Sequence, residues 1–529
     1  MTSLARRSHG ISLRCPGLAA ALALVGCGAG GSPGLDAGLD DAGPDPVADL
    51  GPAPAGDAGP DAGPPAGDGF GPWPGLDPGG RARALGAEAF IVLPASLRAD
   101  PDGGAWVLWH GYELGFEGRS PHLEHVDGEG RFVESSALAD LDPAGFVVHA
   151  DGGLTAWRNA CDAEGAVCLR HVGPEAERAF DWAPDERAHT VYRLDEAGDV
   201  VGSRRAVHTS RVINGAAADG PGLYVLTFEG SIVLHRLGAD LRSRWSLELL
   251  PALSVPLPPD APIDEVLRAI AMTGQRVVGP VEVEGGVVLG ATVPRGGLSA
   301  LAASRGVVLP RPADPTCHEM MIIEVPEDGS GATYRVVPTE ACELLPEVGV
   351  LGEHAFVAAV VDGPSTNDAA QSDISLAVVD RTTGDDARHR TFAFEEDDVV
   401  HGMAPCGERM CLVGLTGSRS VDTGSRVTYG RGFVLPLGVD GEAGPLWTVG
   451  SPRHAVTTHA APGRDGRLLF VATVNGPITH TADHDPSLRF NEAIVGELTV
   501  PSSVRCRGRP RAGRDTARHS LILGAPPGG

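Results

Sequence analysis

The sequence predicts an all-β fold, a β-propeller of seven blades, from three observations. Helical periodicity is scarce, and short Val/Leu/Ile-rich runs bounded by Gly, Asp and Pro fill residues 81–503, the pattern of strands and turns. A Gly turn entering an apolar strand recurs seven times. A strand, an Asp/Gly turn and a second strand recur six times in alternation with it.

The Gly-turn strands begin at Gly103, Gly152, Gly222, Gly285, Gly352, Gly407 and Gly466; "GGAWVLWHG" and "GRLLFVATVNG" are the first and last. The hairpins turn near Asp127, Asp195, Asp240, Asp328, Asp380 and Asp440. Each follows one of the first six Gly-turn strands, and the seventh is followed only by the single strand "AIVGELTV" from Ala493. Repeated small sheets of about four strands are what a propeller requires. The last blade therefore lacks an outer strand. The segment from Arg81 to Gly86 is expected to supply it by pairing with Ala493–Val500, closing the ring and removing an open edge. A string of β-sandwiches would need linkers between domains, and none interrupts 81–503.

One helix breaks the pattern near 260–274. Asp260 stands at its N-cap, Pro262 in its first turn and Gly274 at its end, and Ile263, Val266, Leu267 and Ile270 share a face. It is expected to be an insertion on the blade edges or a lid.

The hairpins, "VVDRTTGDDAR" above all, resemble those of quinoprotein-type propeller repeats. The resemblance covers the hairpins only. The tryptophan docking pattern of that family is absent, so no cofactor is carried over.

Ahead of the β region, Arg6, Arg7 and Arg14 precede the apolar run Leu18–Val25. The run is shorter than the roughly 20 residues a bilayer-spanning helix needs and reads as a secretory signal, residues 1–26. Leu24-Val25-Gly26-Cys27 closes it and resembles the lipobox of bacterial lipoproteins. The resemblance implies that Cys27 is acylated and becomes the mature N-terminus. It also implies that Gly28, standing where an Asp would signal inner-membrane retention, sends the protein to the outer membrane. Residues 27–80 carry Asp-Ala-Gly four times among Gly and Pro. Such a segment buries too little apolar surface to fold and is expected to be a disordered tether. Residues 504–529 are expected to be a disordered basic tail.

Nine cysteines occur. Cys15 falls in the signal and Cys506 in the tail. Cys161 and Cys168 flank one short turn, Cys406 and Cys411 another, and the midpoint of Cys317 and Cys342 falls at the Asp328 turn. Pairs symmetric about turns in an exported protein are expected disulfides.

The formal net charge is −27, which argues against nucleic acid as a partner because phosphate binding needs a basic footprint. Every strong base is Arg; the absence of Lys excludes Schiff-base chemistry and a Walker-type phosphate loop. Within residues 81–503 no Gly-x-Ser-x-Gly elbow or His-Glu-x-x-His helix occurs. Two metal candidates remain. His480, Asp483, His484 and Asp485 cluster in the loop after the seventh Gly-turn strand. His149, His401 and His459 end similar inner strands, "FVVHADGG", "DVVHGMA" and "VTTHAAP", as Asn214 does in "RVINGAA". At one level of the ring axis three imidazoles would bind a divalent transition metal. The expected function is a membrane-tethered envelope module that binds or scaffolds a protein, peptide or glycan. The alternative is an envelope hydrolase or lyase with a metal-assisted axial site.

Overall fold

The computed structural model describes residues 69–523 apart from short connecting segments, the longest being 475–491 and 501–515. The signal, the tether up to residue 68, Cys27, Cys161, Cys506 and the 480–485 cluster lie outside the described residues; the end of the expected tether is structured, with Phe70 buried and Gly71–Pro72 paired with Arg81 and Ala82.

Seven antiparallel sheets, four of four strands and three of five, follow one another along the chain. Their inner strands are Ile91–Ala99, Gly145–Val148, Arg211–Ala217, Arg276–Val283, Glu343–Leu351, Asp397–Cys406 and Ala455–Pro462, and they define blades 1 to 7. Each inner strand lies beside the next, and Ile91–Ala99 lies beside both Gly145–Val148 and Ala455–Pro462, so the ring closes. The Gly-turn strand comes second in every blade. The glycine at the head of the motif has positive φ in every blade, from +57° at Gly352 to +116° at Gly222, and in three blades a steric reason adds to it. A Cβ on Gly104, Gly222 or Gly286 would sit 2.1, 2.0 or 2.1 Å from a carbonyl oxygen of the third strand's end.

Side chains alternate across a strand with period two, and here both faces are buried. In blade 1, Val107 and Trp109 pack with Leu469 and Val471 of blade 7, while Trp106 and Leu108 pack with Phe146 and Leu154 of blade 2. The same division holds around the ring. Phe356 and Ala358 of blade 5 meet Met410 and Leu412 of blade 6, and Ala355 and Val357 meet Val288 and Met320 of blade 4. The core is thus a series of apolar layers between neighbouring blades. That explains why the second strands read as continuous apolar runs rather than alternating ones.

Closure takes the expected form. Gly80–Leu85 pairs antiparallel with Glu492–Thr499 of blade 7, from Gly80 opposite Leu498 to Leu85 opposite Ala493. Arg81 and Arg467 both hold the buried Glu497 carboxylate, Arg467 Nη1 at 2.8 Å.

Three further expectations change. The hairpin at Asp195 is not the outer half of blade 2. It forms Ala188–Leu194 and Val200–Val207 of a separate three-stranded sheet with Ala252–Ser254, and blade 2 is completed instead by Val167–Val172 and Glu177–Trp182. The helix, α1 (Ile263–Thr273), has Pro262 rather than Asp260 at its N-cap. It turns Ala269 and Met272 inward against Leu194 of the inserted sheet and Ala300 of a second helix, α2 (Arg295–Ser304). Ile263, Leu267 and Ile270 are left exposed. The tail is not wholly without structure: Thr516–Ala517 pairs with the outer strand of blade 5 and Leu521–Leu523 with that of blade 4.

Candidate functional site

The inner strands share an irregularity that sets the geometry of the axis. A bulge interrupts the pairing of inner and second strands between Pro94 and Ser96, Val212 and Asn214, Val278 and Val281, Leu344 and Glu347, Val400 and Gly402, and Thr457 and His459. Bulges bend a strand and re-aim its side chains. Six of the seven described inner strands carry one, and in blade 2 the described strand starts only at Gly145.

This register separates the three histidines. The His149 N–H donates to the Gly153 carbonyl at 2.8 Å, closing the turn that ends its inner strand. In blade 7 the equivalent bond, Gly463 N–H to the Arg467 carbonyl at 2.8 Å, is made four residues beyond His459. His149 is therefore about 13 Å further along its strand than His459, at about 3.3 Å per residue. Its Nε2 lies 2.7 Å from Thr155 Oγ1, which is 3.0 Å from His171 Nδ1. Burial, with some repulsion from His171, pushes the His149 imidazole down to about 4. The structure does not bring His149 to His401 and His459. Among the described residues no three His, Cys, Asp or Glu side chains come together in a way that could hold a metal.

His401 and His459 are neighbours. His401 is the bulged residue of blade 6, and the adjoining Gly402 packs on the His459 backbone, whose Cα would lie 3.6 Å from a Cβ there. His459 is also a clasp: its Nδ1 lies 3.0 Å from Thr458 Oγ1, and the ring donates to the Ala95 carbonyl in the bulge of blade 1. Burial pushes both imidazoles down to about 4, His459 additionally through Arg98 and His401. Both rings are neutral at pH 7.

Three further residues flank this level: Asn214 at the bulge of blade 3, Glu347 at that of blade 5, and Arg98 two residues past that of blade 1. Arg98 of blade 1 donates through Nη2 to Asn214 Oδ1 of blade 3 at 3.3 Å, and through Nη1 to its own neighbour's carbonyl, Leu97, at 3.2 Å. The Asn214 oxygen also accepts the Gly215 N–H at 2.9 Å. Burial lowers the Arg98 pKa, yet a guanidinium stays charged. Glu347 follows the bulge of blade 5, and burial pushes its carboxyl up to about 8, so it is mostly protonated at pH 7. Arg98, Asn214, Glu347, His401 and His459 are all half-buried, in contact with solvent rather than sealed in the layers between blades. Sequence reading found the two histidines and passed over Arg98 and Glu347. Their signal, a charged residue in an otherwise apolar inner strand, is visible in "ASLRAD" and "LLPEVGV".

Polar groups within the blades form clasps rather than sites. In blade 3, His235 places Nδ1 2.7 Å from Ser246 Oγ and Nε2 2.9 Å from Glu229 Oε1, a Ser-His-Glu chain. Thr227 Oγ1 also contacts both His235 and Glu229 at 2.9 Å, and Glu229 and His235 are buried. Blade 5 repeats the scheme with Ser375 between Glu343 and His389, and blade 6 with Thr416 on Asp398. Recurrence between strands of successive blades marks these as satisfied core polar groups. The disulfides Cys317–Cys342 and Cys406–Cys411 are present. Cys168 is also disulfide-bonded.

No protein-family model and no curated protein matches the chain. Among solved structures it is similar to the β-propeller domain of the Trilobed protease from Pyrococcus furiosus, with 10% identity over 78% of this chain and 96% of that one and a TM-score of 0.39. The polysaccharide lyase Uly1 matches with 8% identity over 79% and 91% at 0.39. The phage phi92 endosialidase matches with 12% identity over 83% and 71% at 0.38. At such identities the likeness concerns the fold alone.

Proposed function

We propose that the protein is a binding module of the bacterial cell envelope, tethered by a lipid on Cys27 and taking a polar ligand at the ring axis. The observation that carries the axial reading is that Arg98, Asn214, Glu347, His401 and His459, from five inner strands, lie at or within two residues of the bulges, with Arg98 reaching Asn214 of blade 3. The layers between blades are apolar, so polar groups there would cost stability without partners, whereas at the axis they meet solvent and a ligand. The alternative, a metal-assisted hydrolase or lyase, loses its ligand set because His149 sits in a different turn.

The test is a thermal-shift screen of the full chain against sugars, short peptides and small acids. A ligand that raises the melting temperature should lose most of that effect when Asn214 and His401 are both replaced by Leu. An unchanged effect in that variant would move the site off the axis.

A further inference from the structure

The five axial residues do not form a neutral, self-satisfied set. Arg98 carries a full charge, and among the described residues no carboxylate pairs with it. Its nearest acidic neighbour in sequence, Asp100, is engaged elsewhere, with Oδ2 2.5 Å from His125 Nε2. Charges even partly withdrawn from water are ordinarily paired, because desolvation weakens their hydration. Among the described residues its one side-chain partner is an amide oxygen. Two of the guanidinium N–H groups are used, and the remainder of its fork is open. The Asn214 oxygen is occupied twice, which leaves its NH₂ group as the outward donor. His401 adds a neutral ring with one N–H. Glu347, protonated at neutral pH, contributes an O–H donor and no repelling charge.

Resting on the axial reading above, we propose that this site takes a carboxylate, held by Arg98 and Asn214 with His401 beside them, so that the ligand is an acidic sugar or other small monocarboxylic acid. Charge balance selects the class. One uncompensated cation is neutralised by one negative charge, whereas a phosphate dianion would leave a surplus charge in a half-buried setting. The geometry of donors agrees, since a planar guanidinium beside a planar amide matches a planar carboxylate. The choice of a local site also fits a chain whose net charge is −27: its overall field repels anions, so anion affinity must come from this one cation and its neighbours at contact range.

The experiment is calorimetric titration of the full chain with sodium glucuronate, glucose and inorganic phosphate at pH 7 and fixed ionic strength. Glucuronate should bind in preference to both others, and Arg98→Leu should weaken it by at least about tenfold, the loss expected for a charge-assisted contact. Because Arg98→Leu also removes a contact between blades 1 and 3, Asn214→Asp serves as the second variant. It installs a carboxylate beside the guanidinium, so the ring should melt no lower than wild type yet lose glucuronate. Equal binding of glucose and glucuronate, both lost in the Asn214→Leu, His401→Leu variant, would overturn the carboxylate assignment and leave the axial reading standing. Preference for phosphate would overturn the carboxylate assignment. Glucuronate binding that survives in Asn214→Asp, or no binding of glucuronate at all, would overturn the proposal.

Discussion

Burial at the axis fixes how single residues respond to pH. The Glu347 carboxyl titrates near 8 in the folded chain against 4.5 for an ordinary Glu. Between those values the folded state holds a proton that the unfolded chain has released. Stability contributed by this group is therefore complete below about 4.5 and is lost as pH rises through about 8. Glu347→Gln should remove that slope. The wild-type urea midpoint should fall relative to that of Glu347→Gln as pH is raised from 5 to 8.5; a constant difference across that window would show that the carboxyl is not held protonated. The histidines have the opposite sign. His401 titrates near 4 when folded against 6.5 when unfolded, so its contribution is complete above 6.5 and is lost as pH falls toward 4. His401→Gln should lessen acid destabilisation in that range. It is the cleaner probe of the two, since His459 also holds the Ala95 carbonyl across the seam between blades 7 and 1.

At the level of elements, the closing strand carries a share of stability out of proportion to its length. Gly80–Leu85 buries Ala82 and Leu85 in the layers that blade 7 forms with blade 6 and blade 1, and it satisfies the outer edge of Glu492–Thr499. Because the ring is continuous, a fault in one blade loosens both of its interfaces. Deletion of residues 80–88 should lower the melting temperature of the whole ring in a single transition. Removing only the Glu497 charge with Glu497→Gln should cost far less, about 1 kcal/mol, since both arginines that hold it remain partly exposed. A deletion variant that melts like the full chain would show that closure does not depend on this strand. Helix α1 teaches a different lesson at the same scale. Its periodicity marked an amphipathic helix, but its apolar stripe is not its buried face: Ile263 keeps 67% of its exposure while Met272 keeps 1%. The reason is that the inserted sheet and α2 meet the helix from the side of Ala269 and Met272.

For the molecule as a whole, the proposed anchor is a lipid on Cys27, with residues 27–68 as the proposed tether. If the lipid is the anchor, Cys27→Ser should move the protein from the membrane to the soluble fraction while leaving its thermal unfolding unchanged. Membrane partitioning that persists in the variant would require another anchor. The disulfides Cys317–Cys342 and Cys406–Cys411 fit the same compartment, since such bonds persist in oxidising environments.

The sequence alone determined the blades, their number and the strand that closes them. Those features are written locally: the turn glycine at positive φ, the apolar second strand buried on both faces, the Asp/Gly hairpin turn. Cysteine pairs astride turns are local in the same sense, because a hairpin sets its own register. What only the tertiary structure decided depends on register between strands and on neighbours distant in the chain. The hairpin at Asp195 looks like any other, and it is the parallel partner Ala252–Ser254 that draws it out of the ring. His149, His401 and His459 end look-alike stretches, but two of them lie beside bulges and the third in a turn four residues on. Arg98 and Asn214 are more than a hundred residues apart and meet only because blades 1 and 3 face the same axis. No period in the sequence encodes that distance, so the axial site belongs to the closed ring.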